Sequence, residues 1–112
     1  MHSVVETPRY LADAERLFTA EERETIVDAV ATDPHCGVLI PGGAGIRKFR
    51  VEFGGRGKRG GARAIYLFGG GDVPIFLLAA FAKNERSDLT TVERTNLVKA
   101  AAVMLANYRR RK

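Results

Sequence analysis

A single cysteine, Cys36, excludes an intrachain disulfide framework, and a reducing compartment suits the chain. A catalytic thiol would need a positioned base. His35 is only a sequence neighbour, and adjacent side chains rarely meet in a reactive geometry, so Cys36 is read as a small filler in a turn. There are two histidines, His2 and His35, and neither is spaced as half of a paired general acid and base. A ribonuclease built on two histidines is therefore not expected. No His, Cys, Asp and Glu cluster has metal-ligand spacing, so no metal and no other cofactor is assigned. The opening residues, Met1 to Glu6, do not form a signal peptide. The most apolar run, 73–82 (VPIFLLAAFA), is too short to span a bilayer and reads as a buried strand. A cytoplasmic protein without membrane contact is expected.

Charge, by contrast, is abundant and lopsided. Of the 112 residues, 1–33 carry eight acids and three bases, a net of −5, while 34–112 carry five acids and fifteen bases, a net of +10. The basic excess concentrates in 42–63, GGAGIRKFRVEFGGRGKRGGAR, where seven cations (Arg47, Lys48, Arg50, Arg56, Lys58, Arg59, Arg63) face one acid, Glu52. Such a segment suits a polyanion backbone better than a small neutral ligand, and RNA is the expected partner. The plainer reading is a generic basic surface.

The length allows one domain, 1–112, with one modest core. Val4–Thr7 is a short strand candidate. Pro8 can begin a helix, with Tyr10, Ala14 and Leu17 on one face. Thr19 and Glu22 form a capping box that opens a second helix, with Ile26, Val27 and Val30 inward, ended by Asp33-Pro34. A loop is expected over Gly37–Gly45. Ile46–Phe53 alternates as a strand, with Arg47, Phe49, Val51 and Phe53 on the core face and Ile46, Lys48, Arg50 and Glu52 on the other. Arg47, the exception on the core face, can snorkel or pair at the strand entrance. Ala62–Phe68 and Val73–Ala82 are almost wholly apolar, as central strands are, and Gly69–Asp72 is a hairpin turn between them. Thr90 and Glu93 cap a final helix with Leu97, Ala101, Leu105 and Tyr108 on one stripe, and Arg109–Lys112 is a basic tail. The order predicts an α+β fold, a small antiparallel meander packed against two N-terminal helices and a C-terminal helix.

Three motifs carry chemistry. Gly55 to Gly60 matches GxGxxG, but it joins two strands rather than a strand and a helix, which rejects a dinucleotide site. It also lacks the Walker residues. A loop contacting phosphates and a plain flexible connection both remain open for it. Lys48 and Arg50 point the same way from one strand, and Arg63 can lie alongside. Cleavage of RNA by its own 2′-hydroxyl builds charge on a pentacoordinate phosphate, which such cations stabilise; a cationic setting also suits a lysine base. A solvated polar face is the alternative. Lys83 and Glu85 sit where a strand end meets a loop, a common place for functional groups and equally for a charged turn with an internal ion pair.

GAGIRKFR, GRGKRGGARAIYLF and AFAKNERSDLT together resemble the RelE/HigB superfamily of type II toxins, and most closely its HigB-like branch. The resemblance covers about residues 30–100. It implies a RelE-like microbial RNase fold, ribosome-dependent mRNA cleavage in the A site, and neutralisation by a cognate antitoxin, with ribosome and mRNA as the other partners. On this pattern Lys48 and Arg50 match paired basic positions, Arg63 the arginine opening the next strand, and Lys83 the lysine after the last strand. Where well-known members carry an arginine and a tyrosine, this chain has Asn84 and Thr90. The proton-transfer roles are therefore not copied, and Glu85 and Lys48 are the rival candidates for the base. The expected catalytic set is Lys48, Arg50, Arg63, Lys83 and Glu85, with Arg47, Arg56, Lys58 and Arg59 on RNA or ribosome. Two other readings compete with the enzyme: a binding module that blocks translation on intact mRNA, and an inactive relative that acts only through its antitoxin.

Overall fold

The computed structural model describes residues 2–43, 45–52 and 61–110. Eight elements follow in the order β1 (Val4–Glu6), α1 (Pro8–Leu17), α2 (Ala20–Thr32), β2 (Val38–Leu39), β3 (Ile46–Val51), β4 (Ala62–Leu67), β5 (Ile75–Ala82) and α3 (Thr91–Arg110). α1 begins at Pro8, and α2 and α3 begin at their two predicted capping boxes. Thr7 accepts from the Tyr10 N–H and is followed by Pro8 in the first turn. Thr19 and Glu22 exchange two hydrogen bonds of 2.9 and 3.1 Å, and Thr90 and Glu93 do the same at 2.9 and 3.1 Å.

The strands form one sheet in the order β1-β5-β4-β3-β2. β2–β3, β3–β4 and β4–β5 are antiparallel, but β1 joins β5 in parallel, with Val4 opposite Ile75. The sheet is thus mixed rather than a pure antiparallel meander. The reason is topological: α1 and α2 return the chain across the sheet before β2 begins. Inside the expected loop over Gly37–Gly45, Val38 and Leu39 pair with Lys48 and Arg47 as a two-residue edge strand.

Both faces of the sheet are covered. One packs Tyr10, Ala14 and Leu17 of α1 and Ile26 and Val30 of α2 against Val51, Ala64, Tyr66, Leu77 and Ala80. The other packs Leu97, Ala101 and Leu105 of α3 against Ile46, Ile65, Leu67, Ala79 and Phe81. A β-bulge reconciles the faces of β5. Ile65 pairs with Ala79 but Tyr66 pairs with Leu77, so Leu78 is the extra residue and shares Ala79's face. Beyond the end of β1, α1 seals the edge of β5: Asp13 accepts the Ala80 N–H at 2.9 Å, and the Thr7 hydroxyl donates to the Leu77 carbonyl at 2.7 Å.

Tyr66 anchors the edge strand from within. Its buried hydroxyl donates to the Pro34 carbonyl at 2.7 Å and accepts the Gly37 N–H at 2.9 Å. Burial pushes this phenol's pKa up, so it stays a donor at neutral pH. Gly37 is required at this spot, because a Cβ would stand 2.9 Å from the Tyr66 ring and 3.0 Å from the Lys48 carbonyl. Cys36 lies in this turn as expected, but exposed rather than as a filler, with its sulfur 3.7 Å from the Tyr66 hydroxyl. Tyr66→Phe leaves the Pro34 carbonyl and the Gly37 N–H without their partner. It should cost about 1–3 kcal/mol in urea unfolding and speed amide exchange around 37–40. An unchanged urea midpoint would show that the anchor is dispensable.

Candidate nucleic-acid interface

Alternation along β3 sends Ile46, Lys48 and Arg50 to the α3 face. The first of these is buried against α3, whereas Arg50 is exposed. Register then places Arg50 directly opposite Arg63 of β4, and Lys48 opposite Ile65. Two like charges facing each other across a strand pair destabilise a sheet, so this arrangement is not one that folding favours. The Lys83 N–H donates to the Gly61 carbonyl at 3.1 Å, one rung beyond the Ala62–Ala82 pair, so Lys83 continues the face of Arg63 and Phe81. Gly61 has φ +79°, and a Cβ there would collide with the Val51 carbonyl, so only glycine opens β4 at this point.

The cations are held by short local contacts. Arg50 Nε lies 2.7 Å from Glu52 Oε1, both two-thirds exposed, a surface pair that contributes little energy but restrains the guanidinium. Arg63 Nη1 donates to the Ala62 carbonyl at 3.0 Å, and Lys83 Nζ to the Ser87 carbonyl at 3.0 Å. Lys48 Nζ lies 3.1 Å from Asp88 Oδ2, in the connection between β5 and α3. Burial alone would push the Asp88 carboxyl's pKa up. The Leu89 N–H and the Lys48 ammonium outweigh it and hold the group below its ordinary value.

Two expected site residues, Arg47 and Glu85, are turned elsewhere. Arg47 falls on the opposite face of β3, where its guanidinium donates to the Gly37 carbonyl at 2.7 Å and the His35 carbonyl at 3.4 Å. That is the pairing expected at the strand entrance, directed at the loop before β2. Glu85 pairs with Arg16 of α1 at 3.0 Å, while Asp88 is the carboxylate at Lys48. Arg56, Lys58 and Arg59 lie outside the described residues, as does Phe53. His2 and His35 both stand edge-on to Phe68, at 5.1 and 5.3 Å.

The sequence reading gave Asp88 and Arg86 no role and Glu93 only that of a helix cap, yet all three brace this end of the sheet. The Arg86 guanidinium lies 5.1 Å from the Phe81 ring centroid and 2.6 Å from Glu93 Oε1. The other Glu93 oxygen accepts from Arg9 of α1 at 3.1 Å. Glu93 therefore ties α1, the β5–α3 connection and α3 together. Its capping-box spacing was visible; its second and third partners had no local signal. Arg86, then the Thr90 N–H, hold its carboxyl down to about 2 against a modest opposing push from burial.

On the cationic face Arg50 is 65% exposed, within reach of a chain-like ligand. A groove of about 590 Å³ opens elsewhere, between β1 and α2, lined by Glu6, Ala20, Arg23, Glu24, Val27 and Asp28. Its acids make it a poor place for a phosphate. Among the described residues no helix is long and apolar enough to cross a membrane, and no three His, Cys, Asp or Glu side chains gather as a metal site.

A mixed five-strand sheet between helices, with a cationic end left on one face, defines the class: a small α+β fold. The model of the RelE toxin of the RelE/RelB toxin–antitoxin system matches residues 19–111, and the chain belongs to that family. The fold is also similar to a double arginine-to-alanine mutant of E. coli toxin RelE in the free state. The TM-score is 0.62 at 16% identity, over 88% of this chain and 96% of that one.

Because the Glu93 pKa is lowered from 4.5 to about 2, its partners stabilise the fold fully above about 4.5, and that stability is lost as pH falls through about 2. Glu93→Gln should therefore cost about 1–3 kcal/mol at neutral pH. In urea titrations across acid pH, mutant and wild type should converge. A gap independent of pH would mean that the carboxylate charge is not what holds these three elements.

Proposed function

We propose that this RelE-family toxin is a ribosome-dependent endoribonuclease that cleaves mRNA in the A site, inhibits translation and is neutralised by a cognate antitoxin. One observation carries the reading: Arg50 and Arg63 face each other across β3 and β4, with Lys48 beside them, on an exposed end of a RelE-type sheet. Folding gains nothing from that juxtaposition, and a phosphodiester gains a great deal.

The chemistry is transesterification. The 2′-oxygen of one nucleotide bonds to the adjacent phosphorus as the bond from phosphorus to the 5′-oxygen breaks, leaving a 2′,3′-cyclic phosphate. The 2′-hydroxyl proton passes to a base, and the departing 5′-oxygen acquires a proton. Arg50 and Arg63 stabilise the charge on the phosphoryl oxygens, and Lys48 lies alongside to serve the same phosphate. Lys83 extends this cationic end toward the next phosphate of the chain. In this reading the side-chain cations supply the charge stabilisation.

The test is reconstituted translation of a defined mRNA with 5′ ends mapped with and without ribosomes. Codon-phased cuts that require ribosomes are expected. Lys48→Ala and Arg63→Ala, each still folded, should lower cleavage roughly 10²–10³-fold. Cuts on naked RNA would make the protein a free ribonuclease. Blocked translation on uncut mRNA would make it a non-cutting inhibitor.

A further inference from the structure

The connection between β5 and α3 is built as a pedestal. Arg86 is clamped by Glu93 and lies over Phe81. The carbonyl of Ser87 is held by Lys83, and Leu89 is buried beneath α3. Asp88 sits between these fixed points. One of its oxygens accepts the Leu89 N–H at 2.8 Å, and the other reaches across forty residues of sequence to Lys48 Nζ at 3.1 Å. Both side chains of the pair are only partly exposed, Lys48 at 31% and Asp88 at 39%.

Lys48 needs such a partner. It is the residue two before Arg50 on the same strand face, next to the Arg50–Arg63 pair. A flexible ammonium beside two guanidiniums is pushed outward by repulsion and drawn to water by its own rotamer freedom. A carboxylate fixed on a separate rigid element offsets both.

We propose that Asp88 is a positioning residue that holds the Lys48 ammonium on the reactive face. The inference rests on the cleavage reading given above, and it assigns the carboxylate nearest Lys48 a supporting rather than a proton-transferring role. Removing the carboxylate leaves the phosphate-binding charge in place and lets the lysine leave its post. Asp88→Asn also removes a negative charge from the surface that meets RNA. Capture of the mRNA–ribosome complex should then be unchanged or tighter while the chemical step slows. A general loss of structure would weaken both.

The experiment is single-turnover cleavage on programmed ribosomes, with the folded state checked by thermal unfolding. Asp88→Asn should lower the cleavage rate about 10- to 100-fold, the scale of a roughly 1 Å misplacement, with half-saturating ribosome concentration equal or lower. Asp88→Glu should recover part of the rate. In a Lys48→Ala background Asp88→Asn should add nothing, since the group it positions is gone. An unchanged or raised rate for Asp88→Asn, or an equal fall in the Lys48→Ala background, would overturn the proposal. The ¹⁵N signal of the Lys48 ammonium provides a readout independent of cleavage. It should be sharp and restrained in the wild type and mobile in Asp88→Asn; identical signals in the two would also overturn the proposal. A wild-type protein that cuts nothing would sink the cleavage reading while this signal still decided whether Asp88 holds Lys48.

Discussion

A sheet covered on both faces leaves almost nowhere for a polar side chain to go, and that constraint governs the molecule. Apart from the partly exposed Arg63 and Phe76, β4 and β5 are buried between α1 and α2 on one side and α3 on the other. The residues that α3 covers, Ile46, Ile65, Leu67, Ala79 and Phe81, end where Lys48, Arg50 and Arg63 begin. The cationic face is thus the part of a sheet surface that the last helix does not reach. Burying those apolar side chains, at about 25 cal/mol per Å², supplies the stability against which the repulsion of Arg50 and Arg63 is tolerated.

What holds α3 at that boundary is partly one carboxylate. Glu93 caps its own helix, clamps Arg86 of the preceding connection and receives Arg9 from α1 on the other layer. An exposed ion pair is worth little alone, but a shared carboxylate with several donors also fixes geometry. Here the geometry fixed is that of the connection carrying Lys83 and Asp88. Fold and site therefore meet in the segment from 83 to 93.

Much of this was legible beforehand because it is local. The helices announced themselves by Pro8, Thr19–Glu22 and Thr90–Glu93, and the buried stripes Tyr10–Ala14–Leu17 and Leu97–Ala101–Leu105 followed the period. Alternation alone put Lys48 and Arg50 on one face, and Arg63 proved to be their neighbour. What escaped was decided by distant pairing. β2 is two residues with both side chains exposed, Val38 at 73% and Leu39 at 53%, so no pattern marks it. Tyr66 and the edge of β3 create it. The parallel partner of β1 lies 71 positions on (75 − 4). Within the charged stretch after β5, nothing in the sequence says that Glu85 turns to Arg16 while Asp88 turns to Lys48. That division of labour depends on where α1 and β3 end up.

The parallel pairing of the first strand with the last has a consequence for biogenesis. As the chain leaves the ribosome from its N-terminus, β1 has no partner until Ile75 to Leu77 emerge, and α1 has no β5 edge to seal. The cationic face is later still, since the Lys48–Asp88 contact joins residues forty apart and needs the connection beyond β5. Loop-closure costs of this kind delay native pairing rather than weaken it. The sheet therefore stays unfinished until β5 has emerged. The face that gathers Lys48, Arg50 and Arg63 takes its final form only once the connection beyond β5 is in place.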